Sequence, residues 1–214
     1  DAQLSRLAAL AGRSGAQIVP LALHVPYWDG IGWKDPFAQP AFATRQRWLA
    51  SANGQGTVYT PHYFVNGREA LDWRSELAPA LTQAATVAAP VSLVLSAQPA
   101  SGLAWAVQAQ ATPQPGAGAG TVDGPWQLVL ALTESGLVSA IQAGENRGAT
   151  LHHDHVVRQW LGPFALPAAG GEVTRELTPD SRWQRSRLGL AAFVQNARTG
   201  EVLQALALPL CGAA

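Results

Sequence analysis

Thr57-Val-Tyr-Thr-Pro-His-Tyr-Phe-Val-Asn-Gly67 is the stretch that decides how the first part of this chain folds. A short apolar strand, Tyr63 to Val65, follows a Thr-Pro step and ends in Asn66-Gly67. Asn-Gly supplies the positive φ of a tight hairpin turn. Downstream, a helix is predicted from about Asp72 to Thr86, carrying Leu77 and Leu81 after Leu71, and Pro90 closes this half. Upstream, residues 41–52 read as a helix with Phe42, Arg45 and Trp48-Leu49 in register. Before it, residues 26–40 hold three prolines and two glycines, which predicts an irregular loop. Tyr27, Trp28, Ile31, Trp33 and Phe37 make that loop too apolar to stand free, so it must lie on the body. Asp29, Lys34 and Asp35 are candidates to pair with one another. The run Ala16 to Val25 is almost continuously apolar, as suits a strand buried on both faces of a parallel sheet, starting or bending at Pro20. Leu4, Leu7, Ala8, Leu10 and Ala11 place a helix before it, capped by Asp1 and ended by Gly12 to Gly15.

From Val91 the period changes to two. Val91/Leu93/Leu95, Leu128/Leu130/Leu132 and Leu188/Leu190/Ala192 alternate with smaller or polar residues. Strands are predicted at 91–97, 103–111, 126–133, 136–142, 153–161, 171–178, 187–195 and 201–208. Asp123-Gly124, Ser135-Gly136 and Thr199-Gly200 separate them, and 113–121 reads as a Gly-rich hairpin loop. The predicted fold class is therefore α/β plus all-β: an α/β domain over 1–90 and an antiparallel β-sandwich over 91–214, with Leu93, Leu95, Leu128, Leu130, Leu188 and Leu190 in its core.

Composition narrows the function. The 214 residues are 48% hydrophobic, which excludes a disordered chain. Charged residues are 13%, and 14 basic residues balance 14 acidic ones without a basic run, so a nucleic-acid partner is not expected. No apolar stretch reaches the roughly 18 residues of a membrane span. There is no methionine, so we expect the natural chain to continue upstream of Asp1. The single cysteine, Cys211, excludes a disulfide framework within this sequence; an inert thiol and pairing elsewhere both remain open. No nucleophile elbow, phosphate loop or zinc-protease helix is present, and no cofactor is implied.

The Thr60-Pro61 step leading into a strand that ends in Asn-Gly resembles thioredoxin-like proteins. There the proline is cis and faces a Cys-x-x-Cys pair that opens the first helix. A proline lacks an N–H, and a cis bond turns the preceding backbone toward an extended substrate. By that resemblance the first strand and the cysteine pair lie upstream of Asp1. His24 to Phe37, Pro40 to Arg47, Val58-Tyr-Thr-Pro61, Gly144 to Gly148 and His153-Asp-His-Val-Val-Arg158 together resemble a secreted bacterial family of unknown function, domain-of-unknown-function family 1223. Pro26 and His62 depart from its pattern, where an acidic residue and a glutamine are expected.

The resemblance implies a periplasmic or secreted protein of the thiol–disulfide class, its signal peptide removed, that is not redox-competent over this stretch. Its candidate substrate-binding residues are Thr60, Pro61, Tyr27, Trp28 and His62, engaging an extended peptide or protein thiol. The alternative is a non-catalytic binding or assembly module of an exported complex. His152, His153, Asp154 and His155 raise a third reading. On one strand His153 and His155 share a face, a start toward a metal site that needs another ligand. The plainer reading of that cluster is a polar strand start bonding to neighbouring turns, including Glu145-Asn146-Arg147.

Overall fold

The structure, a computed structural model, describes residues 2–10, 17–114, 124–144 and 147–210. Helix α1 (Ala2–Leu10) leads into an extended segment, a 3-10 helix (Pro26–Ile31) and α2 (Pro40–Ala52). The hairpin β1 (Tyr63–Val65) and β2 (Arg68–Ala70) turns at Asn66-Gly67, both at positive φ, and α3 (Trp73–Thr86) follows. Asp72 caps α3 by accepting from the Arg74 N–H at 3.2 Å. Pro26 and Pro40 do not break structure. Each opens a helix at its first turn, where the missing N–H has no partner to lose.

Among the described residues, the strands after residue 90 pair with one another antiparallel. One sheet has the order β3 (Val91–Pro99), β4 (Trp105–Pro113), β9 (Gly171–Leu177). The other runs β11 (Val202–Pro209), β10 (Leu188–Asn196), β5 (Trp126–Glu134), β8 (Val156–Leu166). A hairpin of β6 (Leu137–Ala140) and β7 (Thr150–His153) stands beside them. Trp105, Val107, Ala109 and Val173 from the first sheet share one core with Leu128, Leu130, Leu190, Ala192 and Val194 from the second. Of the six leucines predicted for that core, five are buried and Leu95 is half-buried.

β4 alternates buried and exposed as a one-sided strand should, but β5 and β10 are buried on both faces. Their second faces, through Ala131 and Ala191, pack with Val157 under Phe42 of α2 and the side chains of Val19, Leu21, Leu23 and Val25. The run predicted as a strand buried on both faces is instead an extended cover, half-buried over 18–25, and among the described residues it makes one ladder contact. Ala22 bridges β8 in parallel, its N–H on the His155 carbonyl at 2.9 Å and its carbonyl taking the Val157 N–H at 3.0 Å. A third cluster, Leu7, Ala70 and Leu77 with Tyr63 and Val65, joins α1 and α3 to one face of the β1–β2 hairpin. The hairpin's turn also touches the far sheet: Val202 donates its N–H to the Asn66 carbonyl at 3.0 Å.

Candidate functional site

The Thr60–Pro61 bond is cis, as the sequence led us to expect. Both residues are exposed. Among the described residues neither the N–H nor the carbonyl of Thr60 has a hydrogen-bond partner. The 3-10 helix brings its aromatics alongside. Trp28 donates its indole N–H to Thr60 Oγ1 at 2.9 Å, and the Tyr27 ring lies 5.4 Å from the Trp28 ring. Tyr27 is 36% and Trp28 49% exposed, so the pair forms a wall with apolar surface left over. Trp33 and Phe37 are half-buried anchors for the loop.

His62 sits differently. Its side chain is 2% exposed and lies beneath the step, with Nε2 2.6 Å from Glu69 Oε1 of β2, itself 4% exposed. Tyr59 stacks on the His62 ring at 4.2 Å and donates its hydroxyl to the same Glu69 oxygen at 3.0 Å. Gln46 of α2 links this layer to the wall. Its carbonyl oxygen accepts from Tyr27, and its amide donates to the Tyr59 carbonyl at 2.8 Å while lying 3.2 Å from His62 Nδ1. Burial first, then the neighbouring Glu69, holds the Tyr59 phenol above its ordinary value. Asn53, which caps the C-terminus of α2, accepts the Glu69 N–H at 3.0 Å. Gln46, Tyr59 and Glu69 were not singled out by sequence reasoning. The available signal was Asn53 at the end of the predicted helix, a residue suited to a helix C-terminus.

The other face of α2 holds Arg45 in an aromatic box. Its guanidinium lies 4.7 Å from the centre of Trp160, 5.3 Å from Phe193 and 5.6 Å from Trp48, and it donates to Gln195 at 3.0 Å. Burial pushes its pKa down to about 10.

His153 ends β7, whereas His155 lies in the following turn at φ 56°, so the two do not share a strand face. Asp154 accepts from the Gly136 N–H at 2.8 Å and from Ser5, and His155 donates its N–H to Ser135. That is the turn-bonding arrangement. Glu145 and Asn146 lie outside the described residues, as does Cys211. Among the described residues no three His, Cys, Asp or Glu side chains are placed to hold a metal ion. Instead His153 meets His24, their rings 5.3 Å apart, and the acidic residue of the aromatic loop that pairs is Asp35, with His24 at 2.6 Å. Lys34 is exposed and in no ion pair among the described residues.

An open depression of about 260 Å³ lies beside this region, lined by Arg47, Ser51, Gln55 and Val58. A larger one of about 520 Å³ lies away from it, between β8 and β9. The Thr60 surface combines main-chain groups that have no hydrogen-bond partner among the described residues with exposed aromatics.

The architecture defines a mixed α/β protein built mostly of antiparallel sheets. The chain belongs to the family described as "Protein of unknown function (DUF1223)", whose model matches residues 1–195. No curated protein matches it. Among solved structures it is similar to protein AGR_C_4864 from Agrobacterium tumefaciens, at 18% identity and a TM-score of 0.66, covering 99% of this chain and 88% of that one. It is also similar to HBP35 of Porphyromonas gingivalis, at 14% identity and a TM-score of 0.59, covering 80% of this chain and 58% of that one. At these identities the likeness is one of fold. No helix among the described residues is long and apolar enough to cross a membrane.

Proposed function

We propose that this chain is part of an exported, thioredoxin-like protein of the thiol–disulfide class, and that it binds an extended peptide or protein thiol across Thr60-Pro61. One observation carries the reading. An exposed Thr60 with unpaired N–H and carbonyl lies directly against the exposed Trp28, whose indole it holds. An extended segment takes up such main-chain groups as an added strand would, and an aromatic wall supplies side-chain contact. His62 and Glu69 lie below the surface and position the step rather than touch the ligand. The element order helix, extended segment, helix, hairpin, helix supports the thioredoxin-like assignment. The sequence carries one cysteine, so the role proposed for this stretch is binding. A non-catalytic assembly module would use the same surface.

The test is a titration of isotope-labelled protein with short unstructured peptides, with and without a cysteine, followed by NMR. The Thr60 amide and Trp28 indole signals should move together. Burying one such ring contributes about 1.5–3 kcal/mol, so Trp28→Ala should weaken binding by roughly tenfold to a hundredfold. Affinity unchanged in Trp28→Ala, or shifts confined to another face, would sink the proposal.

A further inference from the structure

The open main chain at Thr60 continues upstream. Residues 56–60, between the end of α2 and the cis proline, belong to no helix or strand. Of their main-chain N–H and carbonyl groups, only the Tyr59 carbonyl has a hydrogen-bond partner among the described residues, the Gln46 amide at 2.8 Å. The run is held in place all the same. Tyr59 pins it, its ring stacked on His62 at 4.2 Å and its hydroxyl on Glu69 at 3.0 Å. Gly56, Thr57 and Thr60 are exposed, and a Cβ built on Gly56 would meet nothing within 4 Å. A main chain fixed through its side chains and open along its polar groups is ordered before a ligand arrives, so binding does not have to supply that order.

The depression of about 260 Å³ lies along the same run. Gly56 and Val58 line it from the run, and Arg47, Ser51 and Gln55 line it from α2 and the turn that follows. Arg47 and Ser51 stand one helical turn apart. Among the described residues no acidic side chain lines this hollow. Arg47 is exposed and is in no ion pair or side-chain hydrogen bond among the described residues, and the Ser51 hydroxyl and Gln55 amide have no partner there either. The hollow therefore presents a guanidinium, a hydroxyl and a carboxamide, each a donor, with no anion to meet them. A guanidinium is always charged, and its fork of N–H groups matches the two oxygens of a carboxylate. The chain as a whole carries 14 basic and 14 acidic residues, so a preference for acid arises here from the local charge and not from the net one.

We infer that Arg47, with Ser51 and Gln55, forms a subsite for the carboxylate side chain of an extended acidic peptide whose main chain runs along 56–60. The inference rests on the binding proposed at Thr60 and names the class of peptide that surface takes. The register follows from extended-chain geometry. Residues two apart point the same way and lie roughly 6.6 Å from one another. Val58 at the depression and Thr60 at the aromatic wall therefore meet ligand residues two positions apart. A ligand residue set against Trp28 places an Asp or Glu two positions away beside Arg47. Lys34, exposed on the aromatic loop and in no ion pair among the described residues, does not line the depression. Ionic attraction at an exposed site is modest and screened by salt. Arg47 thus selects among peptides, while the main chain and the wall supply the affinity.

Three short peptides test it, acetylated and amidated so that their ends carry no charge. Each has a central valine in a Gly-Ser background and carries Glu, Gln or Lys at both positions two residues from the centre. Binding to the intact chain is followed by NMR at low ionic strength. The Glu peptide should bind about threefold to fivefold more tightly than the Gln peptide, with the Lys peptide weakest, and about 0.5 M salt should remove most of the difference. The Ser51 and Gln55 signals should move with the Glu peptide and stay in place with the Gln peptide. Arg47→Gln should bring the three affinities within about 1.5-fold of one another, whereas Lys34→Gln should keep their order. Equal affinity of the unaltered protein for the Glu and Gln peptides, with the Thr60 amide still moving, refutes the subsite and leaves the binding at Thr60 standing. A preference for Glu that survives Arg47→Gln, or that vanishes in Lys34→Gln, overturns it as well. If none of the peptides moves the Thr60 amide, the binding reading falls and the subsite falls with it.

Discussion

Removing Glu69 alone should hurt the protein far more than removing Glu69 together with His62. Glu69→Leu strips the acceptor from the buried His62 Nε2 at 2.6 Å and from the half-buried Tyr59 hydroxyl at 3.0 Å. Removing one partner of a buried pair costs about 3–5 kcal/mol, and the single variant should lose about that much. The same change also removes Glu69 Oε2, which is buried without a partner, and this moderates the loss. His62→Phe in the same chain removes one stranded donor while keeping a ring between Tyr59 at 4.2 Å and Phe64 at 4.4 Å. The double variant should recover about 1–3 kcal/mol relative to Glu69→Leu. Urea unfolding followed by tryptophan fluorescence gives all four corners of the cycle. At this chain length the single variant should lower Tm by roughly 6–20 °C. If the two changes add within about 0.5 kcal/mol, the residues are not coupled and the buried pair has been misread.

Two further outcomes are expected. Gly67→Ala should cost clearly more than Gly54→Ala, although both glycines have positive φ, because an added Cβ at 67 would lie 2.0 Å from the Gly200 carbonyl oxygen while at 54 nothing lies within 4 Å; Gly54→Ala pays about 1–2 kcal/mol for backbone alone, and equal thermal shifts would deny the turn contact. Insulin reduction by this chain should show no dithiol turnover, since cycling needs two thiols within bonding reach and the sequence has only Cys211; turnover surviving Cys211→Ser would demand another chemistry.

The β-rich half was legible because alternation is a local signal. Trp105, Val107, Ala109 and Ala111 face inward and their neighbours outward, as the period predicts. β5 was read as one-sided, since Val129 and Ala131 pass as fillers between leucines. Only the cover of Phe42 and the 17–25 segment reveals their second core. That segment's apolar run was read as a strand buried on both faces, but its side chains are only partly buried because they lie on one sheet as a cover, and among the described residues only Ala22 meets a partner strand. In the loop, proline was read as a breaker where it opens a helical turn. The candidate site was half visible. Thr60, Pro61, Tyr27 and Trp28 come together, with Trp28 on Thr60. The meeting of His24 with His153, and of His62 with Glu69, arises from chain segments that no periodicity connects.

The contact between Gly67 and Gly200 is main chain against main chain, with α2 closing in on the same spot. A Cβ on Gly200 would lie 2.7 Å from the Leu49 side chain and 3.2 Å from Trp48. Side chains accommodate small errors by changing rotamer, but peptide groups in contact have no such reserve. The spacing between the β1–β2 hairpin, which Thr60-Pro61 leads into, and the β10–β11 turn is therefore fixed to less than the width of a methyl group. This joint works as a gauge block, with the Asn53 amide on the Gly67 carbonyl and the Asn196 side chain on the Arg198 and Thr199 N–H groups holding its two faces. One carbon atom on either glycine resets the gauge, and with it the height at which Thr60 and Pro61 are offered to solvent.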